Sequence, residues 1–259
     1  MEISAKVVMD LRAKTGVSMM ACKKALVESG GDEEKAIEYL RKSGEAKALS
    51  KADRDTHEGA VAVAISADKK KGAIVSLLCE TDFVARNEDF VHIVNTVAET
   101  ALAQGVDAAK AAAEAPIREA VLKLGENIRL DRVDVMEGEL IGSYVHSNKK
   151  VGGLVVLIGG ANDDMAKDIA MQVVAASPDA INPEQIDSSL VEKEKDIYAD
   201  QLRTEGKPAE MIEKILIGKM NKFKEERALM TQAFIKDPAM KVRDMLKGAG
   251  VVQFSRVAI

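Results

Sequence analysis

Three histidines, two cysteines and 42 carboxylates are the residues of this chain that could do chemistry. His57, His92 and His146 stand far apart, and none has metal-ligand spacing. Cys22 and Cys79 lie in apolar contexts without C-x-x-C spacing, which reads as two reduced thiols in a cytosolic protein. Gly152-Gly153 and Gly159-Gly160 flank an apolar run. However, the sequence has neither the dinucleotide fingerprint G-x-G-x-x-G nor the phosphate loop G-x-x-x-x-G-K-[ST], and no G-x-S-x-G elbow. The acids form no recognisable general acid and base pair. On this reading the chain has no catalytic residue, no metal site and no cofactor. What stands out is a turn, Cys79-Glu80-Thr81-Asp82-Phe83-Val84-Ala85-Arg86. It follows an apolar run, Ala73 to Leu78, that reads as a buried strand. It precedes a helix starting at Asn87, with Glu88 and Asp89 in the first turn and Phe90, Ile93, Val94 and Val97 on one face. Such a turn should be polar, yet it holds Phe83 and Val84 in a chain only 3% aromatic. Two readings are open. Either Phe83 folds back onto the core while Asp82 caps a local turn, or an acid and a ring are presented to a partner as a probe.

Composition bounds the answer. A chain of 259 residues can bury a real core and hold more than one domain. A net charge of −5 argues against a general nucleic-acid binder. No secretory segment and no apolar run near 18 residues is found, so neither export nor a membrane span is expected.

Residues 1–45 read as three short helices forming a separate docking module. Val7, Val8 and Leu11 give the first helix its inner face, Thr15-Gly16 breaks it, and the second starts near Ser18. Gly30-Gly31 ends the second, and Asp32 caps the third. Met19 and Met20 read as core filler on the residues alone, with an exposed contact pair as the alternative. Residues 46–57 read as a charged linker. A repeat follows. Residues 58–136 and 137–182 each run strand, basic turn (Asp68-Lys69-Lys70, then Asn148-Lys149-Lys150), strand, turn and helix. An alternating strand closes each copy, the second within 229–259. The class is therefore α+β, with two related subdomains whose antiparallel sheets have one face covered by helices. By position, Glu80-Thr81-Asp82-Phe83-Val84 matches Gly160-Ala161-Asn162-Asp163-Asp164. The second copy thus turns without an aromatic, and the two readings of Phe83 become evenly matched. Residues 183–228 are an inserted antiparallel helical hairpin, with Leu190, Ile197 and Leu202 facing Met211, Ile215, Leu216, Met220 and Phe223.

Two long motifs, Leu11 to Leu26 and Cys79 to Arg86, resemble the signatures of the bacterial elongation factor Ts family. Leu124-Gly125-Glu126-Asn127-Ile128, Gly142 to His146 and Thr231 to Pro238 are similar to further motifs of that family. The resemblance is collinear over nearly the whole chain. It implies a guanine nucleotide exchange factor, not an enzyme, that binds elongation factor Tu in the cytoplasm and touches neither nucleic acid nor membrane. It implies a UBA-like N-terminal module and a coiled-coil arm. It implies that Thr81, Asp82, Phe83 and Val84 bind the partner and dislodge its Mg²⁺, and that Arg12, Met19 and Met20 dock on its G domain. Gly125 and His146 are weaker contacts. It leaves a homodimer or a 2:2 complex open. Ala21 stands where many members carry an acid, and many relatives continue past the position of Ile259.

Overall fold

The computed structural model describes residues 3–15, 17, 19–51 and 53–259. Helices α1 (Ala5–Thr15), α2 (Met19–Glu28) and α3 (Glu33–Lys51) pack around Val8, Leu11, Val17, Cys22, Leu26 and Leu40. The expected break at Gly16 and start at Ser18 lie outside the described residues. Gly30 and Gly31 adopt positive φ, and the Gly31 amide donates to the Leu26 carbonyl at 2.8 Å, closing α2. Asp32 caps α3 by accepting from the Lys35 amide at 3.1 Å. Val7, expected inside, is exposed, because Val8 and Leu11 already fill the inner stripe. The expected linker from residue 46 is also corrected, because α3 continues to Lys51. Ala46, Lys47, Ala48 and Leu49 are strong helix formers and nothing in the sequence stops the helix. A close approach fixes its path. A Cβ added at Gly44 would lie 2.3 Å from the Leu122 side chain.

The first copy comprises β1 (Glu58–Ile65), β2 (Lys71–Cys79), α4 (Asp82–Ala85), α5 (Glu88–Gln104), α6 (Val106–Leu124) and β3 (Arg129–Glu137). The second comprises β4 (Leu140–Val145), β5 (Val151–Ile158), α7 (Asp163–Ala176), α8 (Ser188–Thr204), α9 (Ala209–Arg227), β6 (Ala233–Phe234), β7 (Asp237–Lys241), α10 (Val242–Met245) and β8 (Gly250–Ala258). Among the described residues the strands form antiparallel sheets ordered β1-β2-β3 and β4-β5-β8, with β6-β7 a small ribbon. The repeat extends to fine detail. Both central strands shift register at the same point, after Ser76 and after Val156. Lys69 and Lys149 both take positive φ, and Asp68 and Asn148 accept from the amides of Lys70 and Lys150 at 3.1 and 3.0 Å.

These turns also join the copies. The Val61 amide donates to Lys149 and the Ile141 amide to Lys69, each at 2.7 Å. The reciprocity gives the pair a local twofold relation. The sheets meet face to face over Val61, Ile74, Met136, Ile141, Leu154 and Val156. Helices α5 and α6 cover the outer face of the first sheet, and α7 and α10 that of the second. Burial on both faces explains why β2 is a continuous apolar run rather than an alternating one.

Residues 205–208 connect α8 to α9, with Gly206 at φ +75°. Ala199, Leu202, Ile212 and Leu216 pack between these helices, and Val191, Met220 and Phe223 pack at their base. Ile197 and Met211, expected inside, are exposed. The stripe through Val191, Ala199 and Leu202 leaves Ile197, two residues before Ala199, on the opposite side of a helix with 3.6 residues per turn.

Candidate partner interface

Between β2 and α5 the chain makes one helical turn, α4. Thr81, with extended backbone, caps it, its hydroxyl accepting from the Val84 amide at 3.4 Å. The reading that folds Phe83 onto the core gives that cap to Asp82. Thr81 takes it because Asp82 already lies inside the turn, paired instead with Arg86 at 3.0 Å, one turn on. Val84 and Ala85 point into the core of the first copy. Residues 100° apart on a helix cannot all face inward, so Phe83 points out and is 82% exposed. The reading in which the ring folds onto the core is thereby removed. The second copy has no counterpart to this turn. Asn162 caps α7 by accepting from the Met165 amide at 2.9 Å, as Asn87 caps α5 by accepting from Asp89 at 3.0 Å. Asn162, Asp163 and Asp164 therefore match Asn87, Glu88 and Asp89. The position-by-position match to Glu80–Val84 is corrected, and α4 is an addition peculiar to the first copy.

The turn rests on the junction of α6 and β3. Gly125 ends α6 at φ +82°, its amide donating to the Val121 carbonyl at 3.1 Å. Its carbonyl accepts from the Lys51 ammonium, at the end of α3. The next residue, Glu126, accepts from the amides of Glu80 and Thr81 at 3.1 and 3.0 Å and from the Thr81 hydroxyl at 2.6 Å. In return Glu80 accepts from the Asn127 amide at 2.6 Å and pairs with Arg54 at 3.5 Å. Buried Asn127 donates its side-chain amide to the Arg54 carbonyl at 2.8 Å. The sequence reading named Gly125 here and passed over Glu126. The signal it had was an acid beside a helix-ending glycine. Beneath the turn, Cys79 donates to the Thr81 carbonyl at 3.2 Å. Burial, with help from Glu126, pushes the Cys79 thiol up to about 12.

A cleft of about 370 Å³ separates α4 from the β4–β5 turn, lined by Asp82, Ala85, Arg86, Ser147, Lys149 and Lys150. Exposed His146 opens that turn, in the place Ser66 holds in the first copy, and its ring meets Tyr144 edge-on at 6.5 Å. The structure thus brings the Phe83 turn and the His146 turn to one rim. In the N-terminal module Arg12 is exposed. Met20 is 76% exposed, while Met19 is half-buried against the module core. The core-filler reading fails for Met20 and describes only Met19. Among the described residues no cluster of three His, Cys, Asp or Glu side chains could hold a metal, and no helix is long and apolar enough to cross a membrane.

The family model described as Elongation factor TS matches residues 80–259, a span that begins at the Glu80 brace and contains α4, Gly125 and His146. The chain belongs to the elongation factor Ts family. It is 44% identical over 267 residues to Elongation factor Ts of Teredinibacter turnerae, with 100% of this chain and 91% of that protein covered. It is 45% identical over 263 residues to the protein of that name from Chlorobium phaeobacteroides, with 95% and 91% covered. It is 43% identical over 269 residues to the one from Francisella tularensis subsp. novicida, with 99% and 92% covered. Its role is that of a translation elongation factor. These alignments extend the family over the N-terminal module, which the matched model leaves out.

Proposed function

We propose that the protein is a guanine nucleotide exchange factor for elongation factor Tu, acting in the cytoplasm by differential binding and not by catalysis of a bond change. The observation that carries this reading is Phe83, an exposed ring on a capped, braced turn that the fold's second copy lacks. A GTPase holds GDP through Mg²⁺ and the backbone amides of a phosphate loop. Disturbing the metal leaves phosphate charge uncompensated. An exchange factor must bind the nucleotide-free partner more tightly than the GDP form, and by linkage it then weakens GDP by the same factor.

Turning a 99:1 occupancy into 1:99 takes about 5.5 kcal/mol of differential binding. A ring buried only in the opened state contributes roughly 2–3 kcal/mol of that. Phe83 is the wedge near the partner's metal, with Thr81 and Val84 shaping the turn and Asp82 facing the displaced groups. The docking surfaces contribute the remainder. These are the UBA-like module of residues 1–45, through Arg12, Met19 and Met20, and, as weaker contacts, Gly125 and His146. Residues 58–136 form one core subdomain, and residues 137–182 with 229–259 form the other. Residues 183–228 form a coiled-coil arm.

The reading is tested by titrating the protein against elongation factor Tu in its nucleotide-free and GDP-bound forms. Tighter binding to the nucleotide-free form, with GDP weakened by the same factor, is expected. Equal affinities for the two forms would refute it.

A further inference from the structure

We propose that Glu126 is a positioning residue for nucleotide exchange, holding Phe83 at its exposed angle through the backbone of Glu80 and Thr81. This rests on the exchange reading of the Phe83 turn. The ladder between β1 and β2 ends at the Glu58–Cys79 pair, so the next two amides, those of Glu80 and Thr81, have no strand partner. The Glu126 carboxylate accepts from both and also from the Thr81 hydroxyl. That third bond has a second consequence. With its proton committed to Glu126, the hydroxyl turns a lone pair to the Val84 amide and caps α4. One carboxylate therefore fixes both the entry to the turn and the cap that shapes it.

A carboxylate accepts on both oxygens, one taking the two backbone amides and the other the Thr81 hydroxyl. An amide in its place would set an NH₂ group against Thr81 Oγ1, which must then accept, so the hydroxyl proton is no longer committed and the charge behind the two amide bonds is lost. Bonds to Asn127 and Arg54 hold the Glu80 side chain from the other direction. The turn is thus clamped between two glutamates, each accepting from the other's segment. The Lys51 and Arg54 contacts tie the same junction to the chain leaving the N-terminal module. The Phe83 ring is 82% exposed and the bonds of Glu126 go to Glu80 and Thr81, so Glu126 acts on the ring through the backbone.

The test is release of labelled GDP from elongation factor Tu over a range of concentrations of the full chain. Glu126→Gln, Glu126→Ala, Phe83→Ala and the Glu126→Gln, Phe83→Ala pair are compared, with thermal unfolding recorded for each. Glu126→Gln, which keeps the side chain's size, serves if the alanine variant does not fold. The maximal release rate is expected to fall about tenfold or more in Glu126→Gln, the factor that one hydrogen bond to a charged acceptor represents. The half-saturating concentration, set by the docking surfaces, should move little. The paired variant should be no slower than Phe83→Ala alone, because both changes remove one device. Independent, multiplying losses would overturn the inference. So would a normal rate in a folded Glu126→Gln beside a slow Phe83→Ala, and that result would leave the exchange reading standing. A normal rate in Phe83→Ala would refute the wedge itself, and the inference with it.

Discussion

Replacing Phe83 by alanine separates what holds the protein together from what it does. The ring is 82% exposed, so folding covers little of it. A Phe side chain offers roughly 200 Å². The covered fifth, about 40 Å² at about 25 cal/mol per Å², contributes at most about 1 kcal/mol to stability. Alanine regains part of this through its better helix propensity, roughly 0.5 kcal/mol. The melting temperature should therefore move by no more than about 2–4 °C. Against the partner the balance reverses. Burying the exposed ring is worth roughly 2–3 kcal/mol, so its loss should slow GDP release roughly 30- to 150-fold. Stopped-flow release of a fluorescent GDP gives the rate, and differential scanning calorimetry gives the stability. A drop in melting temperature well beyond that limit would show that the ring packs inward. An unchanged release rate would show that it meets nothing on the partner. Either result refutes the wedge.

Three further outcomes follow from the packing. A methyl group at Gly142 would lie 2.2 Å from the Ala166 carbonyl, in the backbone of α7. Gly142→Ala should thus cost roughly 1–3 kcal/mol in denaturant unfolding, and a neutral result would mean that α7 is free to move off the sheet. Gly125→Ala meets open space apart from the Lys51 ammonium at 3.8 Å. Its positive φ should nevertheless lower stability by roughly 1–2 kcal/mol, measured the same way. The Cys79 thiol sits at about 12 in the fold against an ordinary 9.0, so the folded state keeps its proton longer than the unfolded chain. Its contribution to stability should be constant below about pH 9 and fall as pH rises from there toward 12. Urea unfolding at pH 8 and pH 10 should show that slope in the wild type and a smaller one in Cys79→Ala.

What the sequence revealed was whatever strong local signals enforce. The caps at Asp32, Asn87 and Asn162, the paired lysine turns and the apolar central strands all carry such signals, and the repeat made each a check on the other. Helix α6 went unread because its inner face is Ala109, Ala113 and Ala120, too small to mark a stripe, with Pro116 in its middle. The ends of α3 and the facing of Ile197 depend on which neighbour each helix meets, which periodicity alone does not specify. At the site, the sequence marked Phe83 as out of place in a turn. Its direction was settled only when Val84 and Ala85 took the inward positions. Glu126 was invisible as a working residue, because its value lies in three bonds to a segment 45 and 46 residues away.

The most direct test of the exchange account is the release of fluorescent GDP from a large excess of elongation factor Tu by a trace of the wild-type chain, with unlabelled GTP present. The account predicts many rounds of accelerated release per molecule, because the factor is freed when GTP refills the site. Release at the spontaneous rate, with the protein folded and bound to its partner, would contradict it.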